Sequence, residues 1–345
     1  MNAPRSVRFR NPRAKYDFRG QSCSILSVGS YVPTKVLSNA DLERMVETSN
    51  EWIVSRTGIQ ERRMAADDEY TSDMAAEAAR RALKNAGMTA EQVDLIVLAT
   101  ITPDMPFPAT SCIVQQKIGA WRAAAFDLEA ACSGFIFGLE VGQQFIMSRT
   151  YETVLVIGAE KLSSIVDWTD RNTCVLFGDG AGAAILQHRP NSHGLLTACM
   201  GADGAKGALL SMPGGGCRCP ATHESVADGM HYLRMDGKEA FKNAIHAMCT
   251  AARESLRRCE ITIDQISCII PHQANLRIIE AVRERLDAKP EQVYINLQKY
   301  GNTSAASVAI ALDEAVQTGR IRRGDLILLV VFGAGLTWGA AVIEW

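Results

Sequence analysis

Continuous apolar runs alternate with helix-length amphipathic segments along the whole chain. The runs predict strands at residues 22–29, 94–100, 123–128, 153–159 and 181–187, and again at 194–200, 266–270, 292–297, 326–332 and 338–344. Helices are predicted between them at 72–86, 109–118 and 133–148, and at 237–259, 274–286 and 304–319. Because runs such as 95–98 and 328–331 are apolar throughout, the strands are expected to be buried on both faces, with helices above and below.

The two halves of the chain repeat one another. Each reads β-α-β-α-β-α-β-β, and two motifs recur, Phe126-Asp127-Leu128-Glu129 with Ile295-Asn296-Leu297-Gln298, and residues 180–186 with 338–343. A repeat of this length predicts a duplicated α/β domain, although chance similarity between Gly/Ala-rich βα units is the alternative. The last two strands of each half are close in sequence, which favours mixed sheets. We therefore expect an N-terminal half at 21–190 and a C-terminal half at 191–345.

Composition and charge exclude several functional classes. The 345 residues carry a net charge of −2, 47% hydrophobic and 21% charged residues, which is typical of a globular protein and unlike a nucleic-acid binder. No apolar run is long enough to cross a membrane. The first twenty residues form a basic tail without the apolar segment of a secretory signal, so a solvated tail, a targeting segment and a contact for an acidic partner remain open.

The cysteines indicate a reducing compartment. Ten are scattered through the chain, and Cys217 and Cys219 are the only close pair, which is too little for a zinc site. This pattern is typical of reduced thiols in the cytoplasm, and no metal is expected.

Cys132 is the first residue with candidate chemistry. It follows the strand at 123–128 and precedes the helix at 133–148, so it is expected at a helix N-terminus. Unpaired N–H groups and the helix dipole favour an anion there and can lower a thiol pKa below its ordinary value of about 8.5. A buried core thiol is the alternative for any of the cysteines, but the turn position favours a nucleophile.

His272 lies at the end of another predicted strand. Pro271 cannot continue a ladder, so the strand at 266–270 ends there and His272 projects from its carboxyl end. Because ligands of α/β proteins gather at the carboxyl ends of strands, the position favours a functional histidine over a structural one.

Asn302 lies in the turn that the repeat pairs with the Cys132 turn. It falls within about one residue of the place that Cys132 holds, so the two turns are expected to face one cleft, while an Asx-turn or N-cap residue is the alternative. The small residues at 333–335 could offer a free backbone N–H to an oxyanion. The glycine-rich segment 178–182 precedes a strand-like run, which excludes a dinucleotide site.

These residues lie in motifs that resemble those of β-ketoacyl-acyl-carrier-protein synthase III, an initiating condensing enzyme of the thiolase-like superfamily. The resemblance extends from about Ser24 to Trp345. Its motifs are Trp52-Ile53-Val54-Ser55-Arg56-Thr57-Gly58-Ile59, Ala131-Cys132-Ser133-Gly134-Phe135, Phe177-Gly178-Asp179-Gly180-Ala181-Gly182-Ala183, Pro271-His272-Gln273-Ala274-Asn275-Leu276-Arg277 and Gly301-Asn302-Thr303-Ser304-Ala305-Ala306-Ser307. Tyr300 and Ala334 depart from the family pattern without removing a needed group.

The resemblance implies a fold and a set of site residues. The fold is an α/β thiolase-like architecture of five layers, α-β-α-β-α, built from a duplicated unit with mixed sheets. The implied residues are a catalytic triad of Cys132, His272 and Asn302, oxyanion donors at Cys132 and Ala334, coenzyme A contacts at Trp52, Arg56, Arg171 and Asn275, carrier-protein contacts at Lys242 and Arg277, and acyl-pocket residues Phe107, which closes the partner subunit's pocket, and Leu233.

The implied activity is a decarboxylating condensation. An acyl-CoA primer would acylate the cysteine and then condense with malonyl-acyl carrier protein to give a 3-oxoacyl-acyl carrier protein, initiating fatty acid biosynthesis in a cytoplasmic homodimer without a metal or other cofactor. Three different functions stay open: a condensing enzyme or acyltransferase of secondary metabolism, of polyketide or quinolone type; a cysteine thioester hydrolase; and a non-catalytic partner subunit, which would be expected to lack Cys132.

Overall fold

The computed structural model describes residues 23–189 and 194–345. The predicted basic tail at 1–20 and the predicted boundary at 190/191 lie outside these ranges. The strands are β1 (Cys23–Tyr31), β2 (Lys35–Ser38), β3 (Glu61–Met64), β4 (Leu95–Ala99), β5 (Ala124–Leu128), β6 (Thr153–Glu160), β7 (Gly180–His188), β8 (Leu195–Ala202), β9 (Leu210–Ser211), β10 (Arg234–Met235), β11 (Cys268–Pro271), β12 (Leu326–Gly333) and β13 (Thr337–Glu344). The helices are α1 (Asn39–Leu42), α2 (Asn50–Thr57), α3 (Thr71–Ala86), α4 (Thr110–Ile118), α5 (Gly134–Met147), α6 (His223–Ala227), α7 (Gly237–Cys259), α8 (Leu276–Arg285), α9 (Leu297–Tyr300) and α10 (Ala306–Gln317).

Two mixed sheets form the centre of the described structure. One has the order β1-β7-β6-β4-β5 and the other the order β11-β12-β13-β8. In the first sheet β4 is parallel to β5 and β6, whereas β7 is antiparallel to β1 and β6. In the second, β11 and β12 are parallel, whereas β13 is antiparallel to β12 and β8. The prediction of mixed sheets is confirmed.

Alternation along the strands divides the core into layers. Leu95 and Val97 on β4 face α5 and α10, which lie between the two sheets, while Ile96 and Leu98 face α3 and α4. On β12 the same alternation directs one set of side chains to the central helices and the other to α7 and α8. The architecture is therefore α-β-α-β-α in five layers, as expected for a thiolase-like fold, and both faces of each sheet are covered.

The predicted strand at 292–297 is wrong. A 3-10 turn at Pro290–Gln292 is followed by a single bridge between Val293 and Ile269, and α9 begins at Leu297. The side chain of Gln273 takes the backbone groups that a ladder would use, because its Nε2 donates to the oxygen of Tyr294 and its Oε1 accepts from the nitrogen of Asn296. The second sheet therefore has no counterpart of β5 among the described residues.

A smaller apolar cluster covers one end of the sheets. It joins the segment that carries β2, β3, α1 and α2 to the loops around Val166 and Leu233, with Leu42 and Ile53 at its centre. This cap fixes α2 and the 162–177 loop relative to the carboxyl ends of the strands. Within the part of the chain that the structure describes, no helix combines the length and apolar character needed to cross a membrane.

Candidate active site

Cys132 lies in a tight turn between β5 and α5. Residues 131–133 form one turn of 3-10 helix that leads directly into α5, and Ala131 adopts a left-handed conformation with φ of 47°. That conformation is uncommon for a residue with a Cβ and indicates a turn held by its surroundings. Cys132 thus precedes a 14-residue helix, as predicted, but is only 6% exposed.

The expectation that the helix N-terminus lowers the pKa of Cys132 is wrong for this structure. Burial is the largest cause and, with a smaller effect of the nearby Glu160 carboxylate, raises the pKa of the Cys132 thiol to about 12, although the Ser304 hydroxyl and the Cys132 backbone act to lower it. Loss of solvation penalises the charged thiolate, and this effect outweighs the two contributions that lower the pKa. Burial therefore favours the neutral thiol over the thiolate at this position.

The Cys132 turn is docked against the ends of β12 and β13. A Cβ on Gly333 would lie 2.7 Å from the Cys132 nitrogen, so glycine is needed for this close approach of two backbones. Thr337 fastens the same turn by donating to the oxygen of Ala130 at 2.9 Å. Ala334 follows Gly333 directly, so both predicted oxyanion donors lie at this junction of the two sheets.

His272 follows β11 and is 4% exposed. Its backbone nitrogen donates to the oxygen of Val330 on β12 at 2.8 Å, and its Nδ1 lies 2.6 Å from the hydroxyl oxygen of Ser307 on α10. Burial lowers the pKa of His272 to about 4, so the ring is neutral near pH 7. With Nδ1 occupied by Ser307, the Nε2 atom is the ring nitrogen left for a substrate.

Asn302 is fixed between the 176–178 loop and Ser304. Its backbone nitrogen donates to the oxygen of Leu176, and its oxygen accepts from the nitrogen of Gly178. The Oδ1 atom accepts from the Ser304 nitrogen at 2.9 Å, so the asparagine does take the Asx-turn role. Within residues 23–189 and 194–345 the Nδ2 group has no hydrogen-bond acceptor, so this residue caps its own turn and still presents an amide donor.

The predicted pairing of Asn302 with Cys132 in the repeat needs a correction. Ser304 has the same φ of 47° as Ala131, and each is followed within two or three residues by the helix between the sheets. Matching these left-handed residues pairs Cys132 with Ala305, three positions after Asn302. The sequence motif aligned the flanking residues but did not reveal which serine takes the left-handed conformation.

The start of α10 brings the three predicted catalytic residues together. The Ser304 nitrogen donates to Asn302 and its hydroxyl acts to lower the pKa of the Cys132 thiol, while Ser307, one turn later, holds His272 through its own hydroxyl. The predicted coenzyme A residues form a second group. Arg171 and Arg56 lie over the Trp52 ring, at 4.7 and 6.0 Å from its centroid, and Asn275 donates to the oxygen of Arg56.

The remaining predicted residues occupy three places. Arg277 lies over the Phe241 ring at 5.7 Å, next to Lys242, so these two exposed cations share one surface of α7 and α8. Leu233 is buried in the cap cluster, whereas Phe107 is 84% exposed. No group of three His, Cys, Asp or Glu suited to a metal occurs among the described residues.

Three residues of this site are not predicted by the sequence patterns. Ser304 and Ser307 lie within the Asn302 motif, but their contacts to Cys132 and His272 depend on the packing of α10. Glu160 ends the buried strand β6, and burial raises its pKa to about 7. The available signal was a carboxylate at the carboxyl end of an otherwise apolar strand.

Comparison with known proteins agrees with this geometry. Two family models match, "3-Oxoacyl-[acyl-carrier-protein (ACP)] synthase III" at residues 126–204 and its C-terminal model at residues 256–345. A β-ketoacyl-[acyl-carrier-protein] synthase III of Caldanaerobacter subterraneus subsp. tengcongensis is 56% identical over 324 residues, covering 94% of this chain and 98% of the relative.

Solved structures give the same result. The crystal structure of 3-oxoacyl-[acyl-carrier-protein] synthase III from Aquifex aeolicus matches 94% of this chain and all of its own, with 47% identity and a TM-score of 0.88. The priming β-ketosynthase of the R1128 polyketide biosynthetic pathway matches 93% of this chain and 96% of its own, with 36% identity and a TM-score of 0.86. The chain belongs to the β-ketoacyl-acyl-carrier-protein synthase III family.

Proposed function

We propose that this protein condenses an acyl-CoA primer with malonyl-acyl carrier protein, with loss of CO₂, to give a 3-oxoacyl-acyl carrier protein and initiate fatty acid biosynthesis. The observation that carries the proposal is the convergence of Cys132, His272 and Asn302 around the start of α10. The relatives' names supply the carrier protein, and the cluster supplies a nucleophile beside two donors.

Cys132 is the acyl acceptor in this proposal. Its sulfur attacks the thioester carbonyl of the acyl-CoA, and the carbon–sulfur bond to coenzyme A breaks. The backbone N–H groups of Cys132 and Ala334 are the donors proposed for the oxyanion, because both lie where β12 meets the nucleophile turn. Loss of one such donor in an enzyme costs about 3 kcal/mol of barrier.

His272 and Asn302 act on the malonyl thioester. Decarboxylation builds negative charge on the thioester oxygen, which the Asn302 amide and the Nε2–H of His272 can stabilise by donating hydrogen bonds. That tautomer requires Ser307 to donate its hydroxyl proton to Nδ1, which the 2.6 Å separation permits. The low pKa of His272 keeps the ring neutral, so no cation is placed beside the leaving CO₂.

The substrates approach from two surfaces. The Trp52 ring and the guanidinium groups of Arg56 and Arg171 suit an adenine ring with phosphates, and Asn275 holds the backbone of this group in place. Lys242 and Arg277 suit an acidic carrier protein. Leu233 is the chain's own contribution to the acyl pocket.

The proposed assembly is a cytoplasmic homodimer of duplicated halves, with the halves at 21–190 and 191–345. Phe107 and Met105 are exposed on the loop before α4, and β5 is an edge strand of the first sheet, so this side offers both an apolar contact and unpaired strand groups. Phe107 would then close the partner's acyl pocket. All ten cysteines are free, which supports a reducing compartment.

A second candidate is priming of a polyketide pathway. The resemblance to the R1128 priming β-ketosynthase, at 36% identity, favours it over a thioester hydrolase or a non-catalytic subunit. The residues at the reacting centre serve either pathway, so the difference lies in the acyl primer and the carrier protein.

Separable defects in two variants test the proposed function. Acylation is measured by mass spectrometry of the peptide that contains residue 132, after incubation of the protein with a panel of acyl-CoAs. Cys132→Ser is expected to abolish acylation. Cys112→Ser, which alters an exposed cysteine, should leave acylation unchanged. Asn302→Ala is expected to retain acylation and to lose about 10²-fold in CO₂ release from malonyl-acyl carrier protein. Wild-type condensation by the Asn302→Ala enzyme would show that the amide has no part in decarboxylation.

A further inference from the structure

A buried arginine lies behind the turn that carries Asn302. Arg62 is on β3 and is completely buried, which is rare for an arginine unless a carboxylate neutralises it. Among the described residues its guanidinium donates to neutral oxygens and to no carboxylate. Its Nη1 donates to Oδ1 of Asn39 at 2.7 Å, and its Nη2 donates to the backbone oxygen of Val175 at 2.5 Å. The side chain therefore joins two segments that are distant in sequence.

The first carbon of the Arg62 side chain packs against two glycines beside Asn302. A Cβ on Gly178 would lie 3.1 Å from the Cβ of Arg62, and a Cβ on Gly301 would lie 3.3 Å from it. These glycines flank the isolated parallel bridge that Asn302 forms with Phe177. Arg62 is therefore in direct contact with the backbone on both sides of this bridge.

The segment to which Arg62 donates is the one that holds the backbone of Asn302. The Asn302 nitrogen donates to the oxygen of Leu176 at 2.8 Å, and the Asn302 oxygen accepts from the nitrogen of Gly178 at 3.0 Å. Val175 directly precedes Leu176, so Nη2 of Arg62 fixes this segment one residue before its first hydrogen bond to Asn302. The place of the Asn302 amide thus depends on a segment that depends on Arg62.

The other arm of the guanidinium is anchored in the cap. Asn39, the first residue of α1, accepts from Nη1 and is itself fixed, because its Nδ2 donates to the oxygen of Ile59 and to Oδ1 of Asn50, both at 2.9 Å. A planar guanidinium presents several donors in a fixed fork, so one arginine can hold two acceptors in one geometry, whereas a lysine ammonium cannot.

We infer that Arg62 is a positioning residue for Asn302: it holds the 175–178 segment so that the Asn302 amide meets the thioester oxygen of the malonyl substrate. The step it serves, decarboxylation, is taken from the proposed function. Acylation does not depend on Arg62, because the Cys132 turn is held instead by its close contact with Gly333 and by the hydroxyl of Thr337.

The ratio of two rates tests the inference. One is acylation of the peptide that contains residue 132 at saturating acyl-CoA, and the other is CO₂ release from malonyl-acyl carrier protein. Arg62→Met keeps an unbranched side chain and removes the donors, so it should lower CO₂ release by about one to two orders of magnitude and leave acylation within about twofold of wild type. The matched control is Arg320→Met, because Arg320 also donates to two backbone oxygens but follows α10 at the end opposite to the Asn302 turn. It should leave the ratio unchanged.

Two further variants distinguish action through Asn302 from a general effect on the fold. If Arg62 acts through the Asn302 amide, adding Arg62→Met to the Asn302→Ala enzyme should cause no further loss of CO₂ release. Arg62→Lys keeps the charge but cannot hold both Asn39 and Val175, so its CO₂ release should lie between those of wild type and Arg62→Met. Arg62→Lys also serves as the decisive variant if Arg62→Met does not fold.

Hydrogen exchange tests the positioning without any substrate. The backbone amides of Asn302 and Gly178 should exchange about tenfold faster in Arg62→Met than in wild type, and at the wild-type rate in Arg320→Met. Unchanged exchange at these amides, an equal loss of acylation and CO₂ release, or an additive loss in the double variant would each overturn the inference. A wild-type protein that releases no CO₂ from malonyl-acyl carrier protein would contradict the proposed function, while the exchange rates would still decide whether Arg62 holds Asn302.

Discussion

Gly333→Ala should displace Cys132 without removing any side chain that takes part in the reaction. The added Cβ would lie 2.7 Å from the Cys132 nitrogen and 3.1 Å from the Ser133 nitrogen, both backbone atoms, where ordinary contacts begin at 3.4 Å. The nucleophile turn must therefore retreat by about 0.7 Å, which exceeds what a close-packed site absorbs without strain. Overpacking of this kind costs about 1–3 kcal/mol of folding free energy.

The same displacement should lower the acylation rate more clearly than it lowers the stability of the fold. A misplacement of about 1 Å at a reacting centre can reduce a rate about 10²-fold, so acylation of Cys132 should fall by about one to two orders of magnitude while the protein remains folded. The assay is the rate of acyl transfer from an acyl-CoA to the Cys132 peptide, with thermal unfolding measured in parallel.

The matched control is Gly204→Ala, because a Cβ there meets no atom within 4 Å. It should leave both the acylation rate and the melting temperature close to wild type. If the Gly333→Ala enzyme is acylated within about twofold of the wild-type rate, contact with β12 does not set the position of the sulfur.

Four other measurements follow from the site. Because the pKa of His272 is lowered to about 4, its neutral form persists as pH falls, so CO₂ release from malonyl-acyl carrier protein should not decline with the ordinary imidazole pKa near 6.5, and such a decline would refute a buried neutral ring. Ser307→Ala should lower CO₂ release about tenfold and leave acylation intact, since it removes one hydrogen bond that orients His272; an equal loss in both steps would contradict this. Arg171→Ala should raise KM for the acyl-CoA about fivefold with little change in kcat, as expected for loss of a cation–π contact, and a change in kcat alone would argue against a binding role. Arg277→Glu should raise KM for malonyl-acyl carrier protein but not for malonyl-CoA, so equal effects on both would exclude a carrier-protein contact.

Sequence patterns predicted the parts of this fold that depend on continuous burial. The strands that are apolar throughout and the long amphipathic helices lie within a few residues of their predicted limits. The prediction of a strand at 292–297 was wrong because the side chain of Gln273, which is distant in sequence, takes the place of a partner strand. No local sequence pattern encodes that replacement.

In the candidate site, too, local features were predicted and long-range contacts were not. The turn residues around Cys132 and His272 indicated where strands end and helices begin, so the positions of both residues at these ends were predicted. The sign of the pKa shift at Cys132 was not, because it depends on how completely other segments exclude water from the sulfur. Glu160 was not predicted as a site residue because its hydrogen-bond partners lie in the 100–102 loop and at the start of α10, which are remote from it in sequence.

The repeat itself shows why the two halves carry different chemistry. Leu95 pairs with Val154 at the start of β4, and Cys268 pairs with Ile327 at the start of β11, so Glu160 and Gly333 occupy the same place six residues later on β6 and β12. Glycine at this place lets the backbone of the nucleophile turn approach β12.

Glutamate at the equivalent place meets the other turn instead. There the left-handed residue is Ser304, whose hydroxyl donates to Glu160, whereas the left-handed Ala131 of the first turn has a methyl group and cannot make such a hydrogen bond. Duplication therefore supplies two similar turns at one cleft, and two side-chain differences give each a separate task. The first turn holds the sulfur, and the second binds the buried Glu160 carboxylate and presents the amide of Asn302.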